Sequence, residues 1–367
     1  VQESRAVKIG VMGAGAIGCF VGGRLAARSA ARAPLAAAGA SNVVLVGRPR
    51  VVSEVARAGL TLEDLDGTHL AIPAGRLHTT TTAQDLANAD VVLVAVKSLQ
   101  TKEVGAELAS VLRPGTLVVS LQNGLRNADV LRRELPNAKV LGGIVGFNVI
   151  VKGEGVYRRA TSGLLVVEAL ADPRVAELAR ALRDAGFETE VTEDIRAKQW
   201  AKLVMNLGNA ISALTDRPTR EVLFDARYRR VLRAVMAEGV RVMRRAGVRP
   251  ARLGALPVGL FPALMRMPTP LLRVVARAQA EIDAEARSSM WDDLTRGRAT
   301  EVDLLNGEIV ALAAEHGMRA PVNERVVALV HEAEARKAGS PKLGAEELYA
   351  ALTRAQSATT NPTRPTS

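Results

Sequence analysis

The stretch Lys8-Ile9-Gly10-Val11-Met12-Gly13-Ala14-Gly15-Ala16-Ile17-Gly18 decides how the N-terminal half of the chain folds. Lys8 to Met12 has the apolar run of a short buried strand, and Cys19 to Ala31 the Ala-rich composition of a helix. Gly13-x-Gly15-x-x-Gly18 standing alone is a weak signal, but a strand before it and a helix after it make it a dinucleotide-binding fingerprint. The first glycine permits the tight turn, the second lets backbone N–H groups approach a pyrophosphate, and the third lets helix lie close on strand. The helix N-terminus then offers unpaired amides and the positive end of its dipole to the phosphates. The competing reading is a glycine-rich turn of an α/β fold that holds no ligand.

Working outward, Asn42 to Val46 reads as the second strand, reached through an Ala-rich connection at 30–40 that contains Pro34. An acidic residue about 20 positions past the glycines would hold a ribose 2′-hydroxyl. This strand ends instead in Gly47-Arg48-Pro49-Arg50. No carboxylate stands there to repel a 2′-phosphate, and the Arg48 guanidinium is placed to fork onto one, which favours NADP over NAD. A solvent-exposed strand-end arginine is the plainer alternative.

A short helix is expected over 51–60 and a strand-rich excursion over 61–82, with turns at Asp66-Gly67 and Pro73. Asp90 to Val96 is a continuous run of the kind found in central parallel strands, and it ends in Lys97-Ser98. A helix over Lys102–Leu112 leads through Pro114-Gly115 to a strand over Thr116–Leu121, which stops at Gln122-Asn123-Gly124. Polar residues just beyond parallel strands stand at the carboxyl edge, where open α/β sheets bind ligands. Lys97 and Asn123 are therefore site candidates, although Asn-Gly is itself a turn signal. Strands at Val140–Asn148 and Gly155–Val167, a helix over Ala176–Ala185 and a last strand at Glu188–Val191 complete this half.

Composition bounds the rest. A chain of 367 residues with 48% hydrophobic content has room for two domains with their own cores. The net charge of +11 comes from arginines interleaved with acids, and only 3% of residues are aromatic. That pattern argues against a nucleic-acid stripe and for solvated helix faces that attract anionic ligands. The single cysteine, Cys19, excludes an internal disulfide and a Cys-based zinc site. His69, His78, His316 and His331 show no metal-ligand spacing, so no metal is expected. No run approaches the ~18 apolar residues of a membrane helix, and the N-terminus does not read as a signal peptide. The expectation is a cytoplasmic protein without membrane or nucleic-acid partners.

From Asp194 the pattern is helical almost throughout, which places the domain boundary near 193. Ile195 to Leu214 reads as one long helix in which Lys198, Lys202 and Asn206 follow at four-residue steps and Asn209 three beyond, all on one face. Asparagines and Gly208 inside a helix go against local propensity, and such violations mark functional or strained sites. A solvated face is the bland alternative. Arg229–Ala246 reads as an amphipathic helix closed by Gly247, Leu253–Pro270 as irregular, and Leu271–Leu294 as a helix carrying Ser288-Ser289-Met290. Thr300 has the form of an N-cap for a helix running to His316. Met318–Asn323 reads as a loop and Glu324–Lys337 as the last helix. The polar tail after Ala355 is expected to be disordered.

Five blocks in order resemble the ketopantoate reductase (2-dehydropantoate 2-reductase) family. They are Gly13–Gly18, Val96-Lys97-Ser98, Gln122-Asn123-Gly124, Trp200–Asn206, and Ser288-Ser289-Met290 followed by Thr300–Gly307. The resemblance spans residues 7–330, and its last two blocks are far more specific than the glycine fingerprint. It implies an α/β Rossmann domain, doubly wound with a mostly parallel sheet, over 1–193. An all-α substrate and catalytic domain over 194–355 and a tail over 356–367 would follow.

It also implies NADPH-dependent reduction of a small 2-oxo acid in the cleft, ketopantoate to pantoate on the route to pantothenate. A homodimer is compatible with this. By resemblance, Gly13, Ala14, Gly15, Ala16, Ile17 and Gly18 hold the pyrophosphate, and Arg48 the 2′-phosphate. Lys97 and Asn123 contact the cofactor near its reactive end, Asn123 also near substrate. Lys202 matches the general acid, Asn206 a substrate ligand and Ser289 a ligand of the substrate carboxylate or hydroxyl. Glu301 matches the acid linked to cofactor and lysine.

Two positions depart from the family pattern. The asparagine eight residues past the lysine is Ala210, with Asn209 one place earlier, and the asparagine three before the matched serine is Ala286. Asn209 is assigned to the substrate in place of the missing amide. A paralogue that reduces another 2-oxo acid or aldehyde, or a non-catalytic NADP-binding protein, are the alternative functions.

Overall fold

Val91, Val92, Leu93 and Val94 are all sealed from solvent, as a strand in the middle of a sheet covered on both faces must be. Val91 and Leu93 join one hydrophobic cluster, and Val92 and Val94 the other. A computed structural model describes residues 7–32, 42–252, 256–277 and 283–357. The Ala-rich connection falls largely at 33–41 and the tail at 358–367, both outside the described residues. The same holds for 253–255 and 278–282. The chain divides into two units, Val1–Ile195 and Arg196–Ser367.

The first unit runs β1 (Ile9–Met12), α1 (Ala16–Arg32), β2 (Val43–Val46), α2 (Pro49–Ala58), β3 (Leu60–Glu63), β4 (His69–Ile72), β5 (His78–Thr80) and β6 (Val91–Val94). It continues α3 (Thr101–Ala109), β7 (Leu117–Ser120), α4 (Asn127–Glu134), β8 (Lys139–Val145), β9 (Val149–Gly153) and β10 (Val156–Arg159). β11 (Leu165–Glu168), α5 (Pro173–Asp184) and β12 (Thr189–Thr192) close it.

The main sheet has the order β12-β11-β8-β7-β6-β1-β2-β5. From β5 to β8 every neighbouring pair is parallel, and β11 enters antiparallel to β8. Six of these strands reproduce the 3-2-1-4-5-6 order of a doubly wound dinucleotide-binding sheet, whose switch point lies between β1 and β6.

A second sheet, β4-β3-β10-β9, packs on α1. The 61–82 excursion therefore divides, with β5 joining the main sheet beside β2 and β3 and β4 leaving it. Cys19 on α1 is buried against this sheet, hydrogen-bonded to Tyr157, and desolvation pushes its thiol up to about 12. It packs as an inert side chain. Phe20, Phe147 and Phe187 cluster with ring centroids 5.6–6.1 Å apart, and Arg24 lies over Phe187 at 5.4 Å.

The second unit is helical: α6 (Ile195–Asn206, beginning at the last residue of the first unit), α7 (Asn209–Thr215), α8 (Thr219–Phe224), α9 (Ala226–Arg245), α10 (Phe261–Leu264) and α11 (Thr269–Arg277). Then follow α12 (Ser289–Thr295), α13 (Asn306–Glu315), α14 (Pro321–Arg336) and α15 (Ala345–Ser357). α9 is the hub, packed by α8, α10, α13, α14 and α15.

Four helix readings need correction. Ile195–Leu214 is two helices, broken at Leu207-Gly208. A Cβ on Gly208 would stand 2.8 Å from Leu232 of α9, so the glycine lets the chain lie close to that helix at the break. Leu271–Leu294 is not one helix either, because residues 283–288 are not helical and Ser288 starts a new helix as N-cap of α12. Thr300–His316 opens with a separate 3-10 turn over Val302–Leu304 before α13 begins. Finally, Pro321 opens α14 inside what reads as a loop, at the first helical position that proline favours. The helices α4, α8, α10 and α15 are not anticipated by the sequence reading, nor is the strand β9, and the stretch Gly155–Val167 divides into β10 of the second sheet and β11 of the main sheet.

Candidate functional site

In the first unit the glycine turn connects β1 to α1. Gly13 has φ +111°, and a Cβ there would meet the Val96 amide nitrogen at 2.7 Å. A Cβ on Gly18 would lie 2.0 Å from the Gly13 carbonyl oxygen. Neither position admits a side chain. Gly15 is different: its Cβ would meet nothing within 4 Å, and the residue is exposed. The turn is thus closed on its inner side and open at Gly15, the shape that lets a pyrophosphate approach the backbone. Ala16 and Ile17 begin α1 and are half-buried, and no acid stands in the first turn of that helix to compete with an anion.

Val46 O accepts from both Gly13 N–H (3.0 Å) and Ala14 N–H (2.8 Å), which fixes the end of β2 beside the turn. Gly47 follows, so close to Ala14 that its own Cβ would stand 2.6 Å from the alanine methyl. Arg48 comes next, exposed, as N-cap of α2 with Pro49 after it. Arg50 pairs with Glu54 at 3.2 Å, which leaves Arg48 the better placed of the two guanidinium groups for an anion at the turn. The residues present therefore fit a phosphorylated dinucleotide: an open backbone cradle, a helix N-terminus and an arginine at the end of β2.

Lys97 and Asn123, both half-buried, follow β6 and β7, adjacent parallel strands at the carboxyl edge of the sheet. A buried polar network beneath them holds both loops. Gln122 Nε2 donates to Thr101 Oγ1 (2.7 Å) and to Val96 O (3.2 Å), and Gln122 Oε1 accepts from Ser120 Oγ (3.0 Å). Asn127 Nδ2 donates to Ser98 Oγ (3.2 Å) and to Asn123 O, and Ser98 Oγ donates to Asn123 O (3.1 Å). The single hydroxyl proton of Thr101 faces both Asn127 Oδ1 (2.8 Å) and Ser98 O (2.7 Å). Ser98 and Gln122 stand in two of the family blocks without a role assigned to them, and Thr101 and Asn127 escaped the sequence reading. Their signal was polarity beside strand ends otherwise made of valine and leucine.

In the second unit Lys202 sits on α6, one turn before Asn206 at its end. The residue keeps some exposed surface, yet its ammonium is strongly desolvated, which brings its pKa down from 10.5 to about 8. That is close to the value a proton donor needs at physiological pH. Lys198, on the same face, donates to Arg252 O at 3.0 Å and so ties α6 to its own unit.

Asn209 opens α7, and its carbonyl accepts from Ser288 Oγ at 2.8 Å. Ser288 also caps α12 by accepting from Trp291 N–H at 3.2 Å. One buried hydroxyl thus holds the starts of α7 and α12 together, and with them Asn209 and the half-buried Ser289. Ala210 and Ala286 are both fully buried, so neither offers surface to a ligand.

Glu301 is a buried carboxylate, 6% exposed, at the head of the Val302–Leu304 turn. Its neighbours are tied to α14. Glu334 Oε1 accepts from Thr300 N–H (2.6 Å), and His331 lies between Glu334 (2.8 Å) and Asp303 (3.0 Å). Hydrogen bonding to Glu334 and then to Asp303 raises the His331 pKa.

Comparison with known proteins matches residues 9–172 to the family described as Ketopantoate reductase PanE/ApbA, and residues 194–334 to Ketopantoate reductase PanE/ApbA C terminal. A 2-dehydropantoate 2-reductase of Archaeoglobus fulgidus is 34% identical, covering 90% of this chain and 99% of the relative. One of Halobacterium salinarum is 32% identical, covering 89% and 99%. The crystal structure of a PanE/ApbA family ketopantoate reductase from Ralstonia eutropha JMP134 superposes with a TM-score of 0.72 at 32% identity, covering 90% of this chain and 99% of that one.

Proposed function

The chain belongs to the ketopantoate reductase family, and on that premise we propose that it uses NADPH to reduce a small 2-oxo acid, 2-dehydropantoate first among them, to the 2-hydroxy acid. The product would be (R)-pantoate, an intermediate of pantothenate biosynthesis. NADPH, when bound, supplies the hydride. The Gly13–Gly18 turn takes the pyrophosphate on its backbone amides, Arg48 pairs with the 2′-phosphate, and Lys97 and Asn123 line the edge where the nicotinamide end belongs. In the helical unit Asn206, Asn209 and Ser289 orient the 2-oxo acid. As negative charge builds on the carbonyl oxygen, the Lys202 ammonium stabilises it and donates the proton. Glu301 is assigned to orienting that ammonium, whose pKa is lowered by burial.

The observation that carries this reading is Lys202 itself, a lysine desolvated to a pKa of about 8. A protein that only bound the dinucleotide would have no use for a proton donor so tuned. The test is oxidation of NADPH with a panel of 2-oxo acids that includes 2-dehydropantoate. Turnover is expected with 2-dehydropantoate at the highest kcat/KM, and silence across the panel would leave a binding protein. The buried Ala210 and Ala286 favour a second reading, a paralogous reductase whose best substrate is another 2-oxo acid or an aldehyde. The same panel separates the two by rank order.

A further inference from the structure

Asn306 and Asn323 are both completely buried, and neither belongs to the set of residues assigned to ligands above. Their polarity can be worked out from one end. Glu238, on α9 and 3% exposed, accepts from the backbone N–H of Asn323 (2.8 Å) and of Val322 (3.3 Å), which caps the start of α14. A carboxylate only accepts, so the Asn323 side chain must turn its NH2 group to Glu238, where Nδ2 lies 2.9 Å from Oε2. Asn323 Oδ1 then faces Asn306 and must receive, and Asn306 Nδ2 donates to it at 3.0 Å. The second hydrogen of that NH2 group points at Leu207 O, 3.4 Å away. The amide orientations are thereby settled by chemistry and not by choice of rotamer.

Leu207 is the first residue after α6, its amide still bonded to Leu203 O. Beyond it the chain restarts as α7 with Ile211 N–H bonded to Gly208 O, three residues back. Carbonyls at a helix end need partners from elsewhere, and here Asn306 supplies one. The location is telling, since Leu207 follows Asn206 and precedes Asn209 by two. Asn306 itself is the first residue of α13, separated only by Leu305 from the turn headed by Glu301. One NH2 group therefore joins the end of the lysine-bearing helix to the segment that carries the buried acid.

The arrangement is not the one that packing alone would select. Asn306 Oδ1 is buried with no hydrogen-bond partner among the described residues, and an orphaned buried acceptor costs stability that an apolar side chain would avoid.

We propose that Asn306, oriented through Asn323 by Glu238, is a positioning residue that sets the α6–α7 break and thereby the placement of Lys202, Asn206 and Asn209 for reduction. This rests on the function proposed above for those three. Asn306→Ala should lower kcat at least tenfold while KM for NADPH stays within twofold. Amide hydrogen exchange over residues 203–212 should accelerate at least tenfold. Leu348→Ala, a core truncation in α15, serves as the stability control: kcat should stay within twofold well below its Tm, and exchange should accelerate across the helical unit as a whole without singling out 203–212. Asn323→Ala should reproduce the pattern more weakly, and the double variant should be no worse than Asn306→Ala alone.

If Asn306→Ala does not fold, Asn323→Ala with the exchange measurement carries the test. Exchange and kcat matching those of Leu348→Ala, or effects of the two asparagine variants that simply add, would overturn the proposal. Absence of turnover by the unmodified protein on every 2-oxo acid would instead refute the proposed function, while the exchange arm still decides the role of Asn306.

Discussion

Raising the pH titrates Lys202, and the outcome separates a proton donor from a bystander. Its pKa falls from 10.5 to about 8 because burial disfavours the ammonium. A shift of that size corresponds to about 3 kcal/mol of differential destabilisation of the charged form. Reduction needs the protonated amine, so kcat/KM for the 2-oxo acid, which reports the enzyme before that acid binds, should hold a plateau below pH ~8 and fall about tenfold per pH unit above it, reaching about a tenth of the plateau near pH 9. An unshifted lysine would keep the plateau to about pH 10. The reverse oxidation of the 2-hydroxy acid needs the neutral amine and should rise through the same midpoint. Lys202→Ala should lose kcat by about 100-fold or more with KM for NADPH little changed.

The linkage has a definite sign. The folded pKa lies below the unfolded one, so between about pH 8 and 10.5 the unfolded chain binds the extra proton and stability from this group rises with pH. The assay is steady-state loss of the reduced-nicotinamide absorbance across a pH series, with enzyme stability checked at each point. A kcat/KM for the 2-oxo acid that stays level to about pH 10, or undiminished turnover by Lys202→Ala, would refute the assignment.

Three further outcomes follow from the geometry. Gly15→Ala places its methyl in open space, so thermal unfolding should be unchanged while NADPH affinity, measured by fluorescence titration, drops by about tenfold or more (about 1.4 kcal/mol); Gly18→Ala drives its methyl into the Gly13 carbonyl and should fail to give stable protein. Arg48→Ala should raise KM for NADPH by about 10–100-fold, the worth of a charge-assisted fork of about 1.5–3 kcal/mol, with KM for NADH nearly constant; equal use of NADH and NADPH by the unmodified protein would remove Arg48 from the 2′-phosphate. Ser288→Ala removes an N-cap worth about 1 kcal/mol and frees the Asn209 carbonyl, so calorimetry should show a lower Tm and kinetics a higher KM for the 2-oxo acid.

How far the sequence reaches depends on how local the physics is. The glycine turn was readable because Gly13 and Gly18 meet steric limits set by neighbours within a few residues or on the adjoining strand. The central strand at Val91–Val94 was readable because a two-faced strand leaves no polar position. The pairing of β3 with β10 was not, since it joins segments nearly a hundred residues apart and nothing within either marks the other as its partner. Lys97 and Asn123 were visible as polar residues past apolar strands. The Gln122, Thr101 and Asn127 network that holds their loops exists only once two strand ends lie side by side.

In the helical half the apolar period of about 3.6 residues marked the long helices and put Lys202 and Asn206 on one face of the first, while the short α8 and α10 and the last helix α15 went unread. Where that helix ends was decided by tertiary structure. Gly208 and the asparagines beside it are poor helix formers, but Gly208 keeps a right-handed helical backbone, φ −74° and ψ −13°, so that local signal does not by itself place the break. The pKa of Lys202 is likewise a tertiary property. Any lysine in that window would read the same in sequence, and only removal of water by the surrounding fold brings its proton within reach of neutral pH.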